Sequence, residues 1–217
     1  PNAVAMNYVP ILLEQGCRII DLSADFRLRN SNTWQQWYKK KHSCPNLLDK
    51  AVYGLPEINR ESISKASLIA NPGCYPTGFT LAIRPLIDQA LLPRETAIFV
   101  SALSGYSGGG KAMIEQYSGN DAAACRPYAF DLNHKHLPEM AKFSGLDSAP
   151  IFLPHVGNFY QGMLIEIGLK KSAFTKPVSS ATICEAWQAA YAGELFIQIM
   201  EANPKDCLIC LLYTSDA

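Results

Sequence analysis

Cys74 stands in Asn71-Pro72-Gly73-Cys74-Tyr75-Pro76-Thr77, where the short apolar run Ser67 to Ala70 gives way to helical periodicity over Gly78 to Ala90. A thiol at the opening of a helix faces free backbone N–H groups and the positive end of the dipole, both of which favour thiolate. Gly73 permits close backbone approach, and Pro72 and Pro76 stiffen the turn. These coincidences predict a nucleophile in a strand-to-helix turn, although a cysteine taken at random is more often a buried structural residue.

A cysteine nucleophile needs a base, and the chain has four histidines: His42, His134, His136 and His155. His134 and His136 lie in Asn133-His134-Lys135-His136-Leu137-Pro138-Glu139, just before a proline suited to the first turn of a helix. The alternation is expected to put the two imidazoles on opposite sides of an extended segment, one facing a site. A metal pair is the rival reading, but no third and fourth ligand at recognisable spacing accompanies it. Cys207-Leu208-Ile209-Cys210 is likewise a lone pair. No metal is expected.

Gly105-Tyr106-Ser107-Gly108-Gly109-Gly110-Lys111 has the spacing of a nucleotide phosphate loop after a strand and before a helix. Ala112 replaces the hydroxyl that would hold magnesium, which argues against a nucleotide hydrolase. What survives is a set of glycine N–H groups able to cradle an anionic oxygen, with Lys111 nearby. Arg27 follows the C-terminal end of a predicted parallel strand, the edge where α/β sheets place ligands, and its fork suits carboxylate or phosphate. A surface salt bridge would serve Arg27 equally well, and a non-catalytic anion-binding scaffold would show no unusual thiol reactivity.

The elements that must hold these residues read as α/β. Val4, Tyr8, Ile11 and Leu12 fall near helical spacing, with Gly16 as a C-terminal cap. Arg18 to Leu22 is a short apolar run of the buried parallel type, and Asn32 to Lys41 is a peripheral helix whose aromatics form an inner face. Thr96 to Leu103, Ile151 to Val156 and Met163 to Leu169 are strands; helix Ala181 to Ala192 and strand Leu195 to Met200 follow. The pattern implies a partial Rossmann-like domain over 1–73, an α+β catalytic domain with a mixed sheet over 74–204, and an atypical tail over 205–217.

Composition bounds the partners. The 217 residues carry 19 Lys plus Arg against 19 Asp plus Glu, so no net field draws nucleic acid or an anionic membrane. No stretch approaches the ~18 apolar residues of a membrane span. Seven cysteines at irregular spacing fit reduced thiols in a cytoplasm better than a disulfide framework.

Six segments in collinear order carry a resemblance: DLSADFRL (21–28), YGLPE (53–57), NPGCYPT (71–77), SGYSGGGK (104–111), HKHLPE (134–139) and PHVGNFYQGM (154–163). Together they resemble the N-acetyl-gamma-glutamyl-phosphate reductase family, related to aspartate-semialdehyde dehydrogenase. The resemblance implies NADP-dependent reduction of a small-molecule acyl phosphate in arginine biosynthesis, through a thioester on Cys74, in a homo-oligomer. It implies His136 as the base with His134 as the alternative, and Arg27 and Lys111 toward the phosphate. Ser104, Gly105, Ser107, Gly108 and Gly109 would lie against the NADP. Sister reductases acting on aspartyl phosphate or a carrier-linked aminoadipyl phosphate are the alternative.

Members of that family begin with a strand and a glycine-rich turn for the cofactor pyrophosphate, which the opening residues here do not resemble. Residues 205–217 also look unlike the family. The resemblance therefore implies a truncated chain with little cofactor affinity or activity of its own.

Overall fold

The computed structural model describes residues 2–119, 122–203 and 208–213. The chain runs through α1 (Ala5–Glu14), β1 (Ile19–Asp21), α2 (Ser31–Tyr38), β2 (Val52–Tyr53), α3 (Pro56–Lys65), β3 (Leu68–Ala70) and α4 (Cys74–Asp88). It continues with β4 (Phe99–Gly105), α5 (Lys111–Tyr117), β5 (Cys125–Pro127), α6 (Leu137–Ser144), β6 (Ile151–Gly157) and β7 (Met163–Gly168). Then come α7 (Ser180–Tyr191), β8 (Ile197–Asn203) and β9 (Leu208–Tyr213).

The first sheet is wholly parallel, in the order β1-β3-β2. Its central strand Leu68-Ile69-Ala70 is buried on both faces, as an apolar run between two parallel neighbours must be. The loop after β1 is built by its own polar groups. The buried Asp25 carboxylate accepts from Ala3 N–H at 2.7 Å and Met6 N–H at 3.3 Å, satisfying donors at the start of α1. Trp34 Nε1–H donates to Ala24 O at 2.9 Å, and His42 Nε2 lies 2.8 Å from Asp25 O. These anchors aim Arg27 inward.

The opening helix forms where its spacing predicts, but its packing face is reversed. Met6 and Val9 are buried, whereas Tyr8 is 61% and Ile11 55% exposed. Gly16 at φ +76° takes the left-handed conformation of a C-terminal cap, and the Cys17 N–H closes on Leu12 O. Helix α2 ends earlier than expected because Lys39 turns left-handed at φ +55°, leaving Lys39, Lys40 and Lys41 solvated. Its inner face is as read: Trp34 is fully buried and stacks on Tyr38.

The second sheet is mixed, ordered β5-β6-β4-β7, with β4 parallel to β6 and antiparallel to β7. Thus the three strands expected to share a mixed sheet do so. Val100, Ala102, Phe152 and Val156 form its buried face against α4 and α6. Helix α4 is buried nearly all round, the behaviour of a core helix. Burying Phe79 and Leu81 contributes about 1.5–3 kcal/mol each. Helix α7 locks onto α4 through Trp187 Nε1–H to Ala82 O and Tyr191 O–H to Leu81 O. Of the expected tail, 208–213 form β9, antiparallel to β8; 205–207 and 214–217 lie outside the described residues.

Candidate active site

Helix α4 begins four residues earlier than its periodicity predicts, so that Cys74 is its first residue and Gly73 its N-cap at φ −70°, ψ 149°. Pro76 does not delay the helix, because the N–H it lacks in the first turn has no intrahelical partner in any case. The Thr77 hydroxyl and N–H both return to Gly73 O, at 2.9 and 3.0 Å. Cys74 therefore stands at a rigid helix start, following the C-terminal end of the central strand β3.

A cleft of about 440 Å³ opens above it. Its walls come from the Leu22–Ala24 loop with Arg27, from Gly73, Cys74 and Tyr75, from Ser104, Gly108 and Gly109, and from His134 to His136. The Cys74 side chain is open to the cleft mouth. Even so, desolvation by the surrounding walls pushes its thiol up, outweighing the Tyr75 N–H and Arg27, which pull it down; the Glu139 charge adds to the rise. The helix start favours thiolate as expected, but burial outweighs it and the net direction is toward the thiol.

The two histidines do not diverge. His134 to Leu137 is a turn closed by Leu137 N–H to His134 O at 3.0 Å, not an extended segment, so alternation does not separate the side chains. Their ring centroids are 4.8 Å apart, and both rings line the cleft against Tyr75. Burial lowers His136 well below the ordinary imidazole range and His134 to about 4, so both are neutral near pH 7.

Their ring nitrogens differ. His134 Nδ1 accepts from the His136 backbone N–H at 3.2 Å. His136 Nδ1 is buried without a hydrogen-bond partner, and its Nε2 would stand 2.9 Å from a Cβ placed on Gly73. That same Cβ would meet Arg27 Nη1 at 3.0 Å and Glu139 Oε2 at 3.1 Å. Only glycine fits beside Cys74 while these three groups converge.

Arg27 reaches the cleft but is anchored: Nε–H donates to Asn71 O at 2.7 Å, Nη2–H to Leu22 O at 3.3 Å, and Nη1 lies 3.5 Å from Glu139 Oε2. Ser104, Gly108 and Gly109 line the cleft; Gly105, Ser107 and Lys111 do not. The N–H groups of Gly105, Tyr106 and Ser107 bond to the carbonyls of Gly162, Phe159 and Tyr160, so these amides are not aimed at an anion as the glycine count suggests. Gly105 is required for packing, since a Cβ there would lie 2.7 Å from Tyr160 O.

Two residues missing from the sequence reading complete the site. Glu139, 1% exposed, accepts through Oε1 from Gly73 N–H at 2.7 Å and from Tyr53 O–H at 2.8 Å. Both residues fall in recognised segments, but spacing does not distinguish a solvated carboxylate at a helix start from a buried one. Among the described residues no group of three His, Cys, Asp or Glu side chains is gathered to hold a metal, and no helix is long and apolar enough to cross a membrane.

A thiol at a helix start, a neutral imidazole beside it and a small-residue wall opposite, carried on a parallel sheet joined to a mixed one, define a class. The family description "Semialdehyde dehydrogenase, dimerisation domain" matches residues 74–208, and "Semialdehyde dehydrogenase, NAD binding domain" matches 1–66. The chain belongs to the semialdehyde dehydrogenase family.

Within it, the chain is 39% identical over 208 residues to the N-acetyl-gamma-glutamyl-phosphate reductase of Thiobacillus denitrificans, covering 94% of this chain and 58% of that protein. It is 42% identical over 213 residues to the protein of that name from Halorhodospira halophila, again 94% of this chain and 58% of the relative. The chain therefore spans somewhat over half the length of these relatives. Its fold is similar to the crystal structure of aspartate semialdehyde dehydrogenase II from Vibrio cholerae, with a TM-score of 0.62 at 19% identity, covering 84% of this chain and 56% of that one.

Proposed function

We propose that the chain carries the catalytic centre of an NADP-dependent acyl-phosphate reductase that converts N-acetyl-glutamyl 5-phosphate to N-acetyl-glutamate 5-semialdehyde and phosphate, a step of arginine biosynthesis. The observation that carries this reading is Cys74 at the first position of α4 in one cleft with the uncharged His136. Residues 1–73 are assigned to the cofactor half and 74–204 to the catalytic half.

The chemistry follows from those groups. His136 takes the thiol proton on Nε2, and the Cys74 sulfur attacks the acyl carbon of the substrate. N–H groups at the start of α4 donate to the oxygen that gains charge. The acyl carbon–oxygen bond to phosphate breaks, the phosphate leaves with the electron pair, and a thioester remains on Cys74. His136 is chosen over His134 because His134 Nδ1 is engaged by a backbone N–H. Arg27, in the same cleft with unused N–H groups, is placed to face the phosphate.

The wall formed by Ser104, Gly108 and Gly109, against which Met113 packs where a Cβ on Gly109 would stand, suits the flat end of a nicotinamide dinucleotide. When bound, that cofactor supplies hydride to the thioester carbon. The anionic thiohemiacetal that hydride addition would leave on Cys74 would collapse to aldehyde and thiolate, and His136 would return its proton to the sulfur.

A homo-oligomer in the cytoplasm completes the reading. The face of the mixed sheet opposite the core exposes Phe99, Ile151 and Leu164, an apolar surface that suits a second copy. The cysteines Cys17, Cys44, Cys74, Cys125 and Cys184 are free thiols, as a reducing compartment maintains. Comparing the rates at which N-acetyl-glutamyl phosphate, aspartyl phosphate and a carrier-linked aminoadipyl phosphate acylate Cys74 and release phosphate, without cofactor, tests the substrate. Preference for either of the latter two replaces the assignment with a sister reductase.

A further inference from the structure

The Glu139 carboxylate takes no part in the chemistry above, yet it contacts three residues from separate segments, Gly73, Tyr53 and Arg27. It sits at the start of α6, three residues beyond His136, with Oε1 on Gly73 N–H at 2.7 Å and Tyr53 O–H at 2.8 Å. Its Oε2 lies 3.5 Å from Arg27 Nη1. Gly73 precedes the nucleophile, Tyr53 belongs to the first sheet, and Arg27 enters from the loop after β1. We propose that Glu139 is the positioning residue of this site: one buried carboxylate fixes the backbone on which Cys74 stands relative to the turn from which His136 projects. The assignment rests on reading Cys74 as the nucleophile.

Charge and reach contribute differently. The reach of a glutamate at the first turn of α6 lets one oxygen accept from two donors on separate elements, and such charge-assisted bonds are short and directional. Its negative charge also acts on the sulfur electrostatically. The charged and titratable groups around Cys74 are Arg27 from the β1 loop, Tyr75 from α4, Tyr128 from the segment after β5, His134, Lys135 and His136 from the turn before α6, and Glu139 itself. Of these, Glu139 is the anion, and it opposes thiolate formation, while Arg27 favours it. A residue that merely filled space would leave the titration of Cys74 unchanged.

The test is the rate of Cys74 alkylation by iodoacetamide as a function of pH, read by peptide mass spectrometry, with the exposed Cys17 and Cys125 as internal references. Glu139→Gln keeps the volume and an oxygen able to accept from Gly73 and Tyr53, but removes the charge. Its Cys74 profile should move to lower pH, with the rate near pH 7 rising about three- to tenfold while Cys17 and Cys125 do not change. Glu139→Asp keeps the charge and should leave the Cys74 midpoint near that of the unsubstituted chain. A Gln profile superimposable on the unsubstituted one, with circular dichroism intact, overturns the proposal.

If Glu139→Gln does not fold, hydrogen exchange of the unsubstituted chain decides. The Gly73 amide should be strongly protected, and exchange at the rate of an open loop would overturn the clamp. A Cys74 that responds to Glu139 but is never acylated by an acyl phosphate contradicts the proposed function and leaves the positioning role standing.

Discussion

His134 and His136 face one another across 4.8 Å on the same wall of the cleft, although a single residue separates them in the chain. The relationship follows from the closed turn at 134–137, and it makes the two rings chemically unequal. His134 accepts from the backbone of its neighbour, whereas the buried Nδ1 of His136 has no protein partner. In the proposed reaction, proton transfer with Cys74 is therefore assigned to His136.

His136→Asn should therefore slow acylation of Cys74 by about 10²- to 10⁴-fold, the range of a lost general acid or base. His134→Asn should cost less. Quenched-flow sampling with mass detection of the acylated chain provides the rates, and a greater loss in His134→Asn would reverse the two roles.

Stability should fall in acid. A histidine held neutral by burial binds its proton less readily folded than unfolded, so the folded state loses ground as pH drops below the unfolded value of about 6.5. For His134 the loss continues down to about pH 4 and amounts to on the order of 3 kcal/mol. Glu139 acts in the opposite sense: burial raises its carboxyl, so protonation in acid relieves part of its cost. Thermal midpoints against pH should show an acid limb that flattens in His134→Gln. An unaltered limb would place its origin elsewhere.

Gly73→Ala introduces a Cβ 2.9 Å from His136 Nε2 and 3.0 Å from Arg27 Nη1, on a backbone whose φ and ψ alanine accepts. The penalty is thus one of packing, about 1–3 kcal/mol in urea unfolding, with a loss of Cys74 acylation because His136 is displaced. An alanine variant as stable and as reactive as glycine would show that the convergence around Gly73 is loose.

Much of this was legible in the residues. Short apolar runs at 18–22 and 67–70 read as buried parallel strands; the second is covered on both faces, but the first is an edge strand whose Ile20 is 63% exposed, and Gly73 with two prolines marked the turn at Cys74. The inner face of α1 was not legible, since its more apolar stripe points outward. Nor was α3 anticipated: Pro56–Lys65 is polar and buries no residue fully, so it lacks the periodic signal. The glycines of 104–110 suggested an anion cradle, but glycine also appears where two backbones approach, as Gly105 does to Tyr160. Glu139 escaped because burial of a charge depends on partners from Tyr53, Arg27 and Gly73, up to 112 residues away in the case of Arg27.

The most direct test of the central claim is intact-protein and peptide mass spectrometry after brief exposure of the chain to N-acetyl-glutamyl phosphate without nicotinamide cofactor. One acyl group should appear on Cys74, release a stoichiometric amount of phosphate, be removed by hydroxylamine as a thioester is, and be absent from Cys74→Ser. Acyl transfer that persists in Cys74→Ser, or an unmodified Cys74 in a folded chain, would contradict the account.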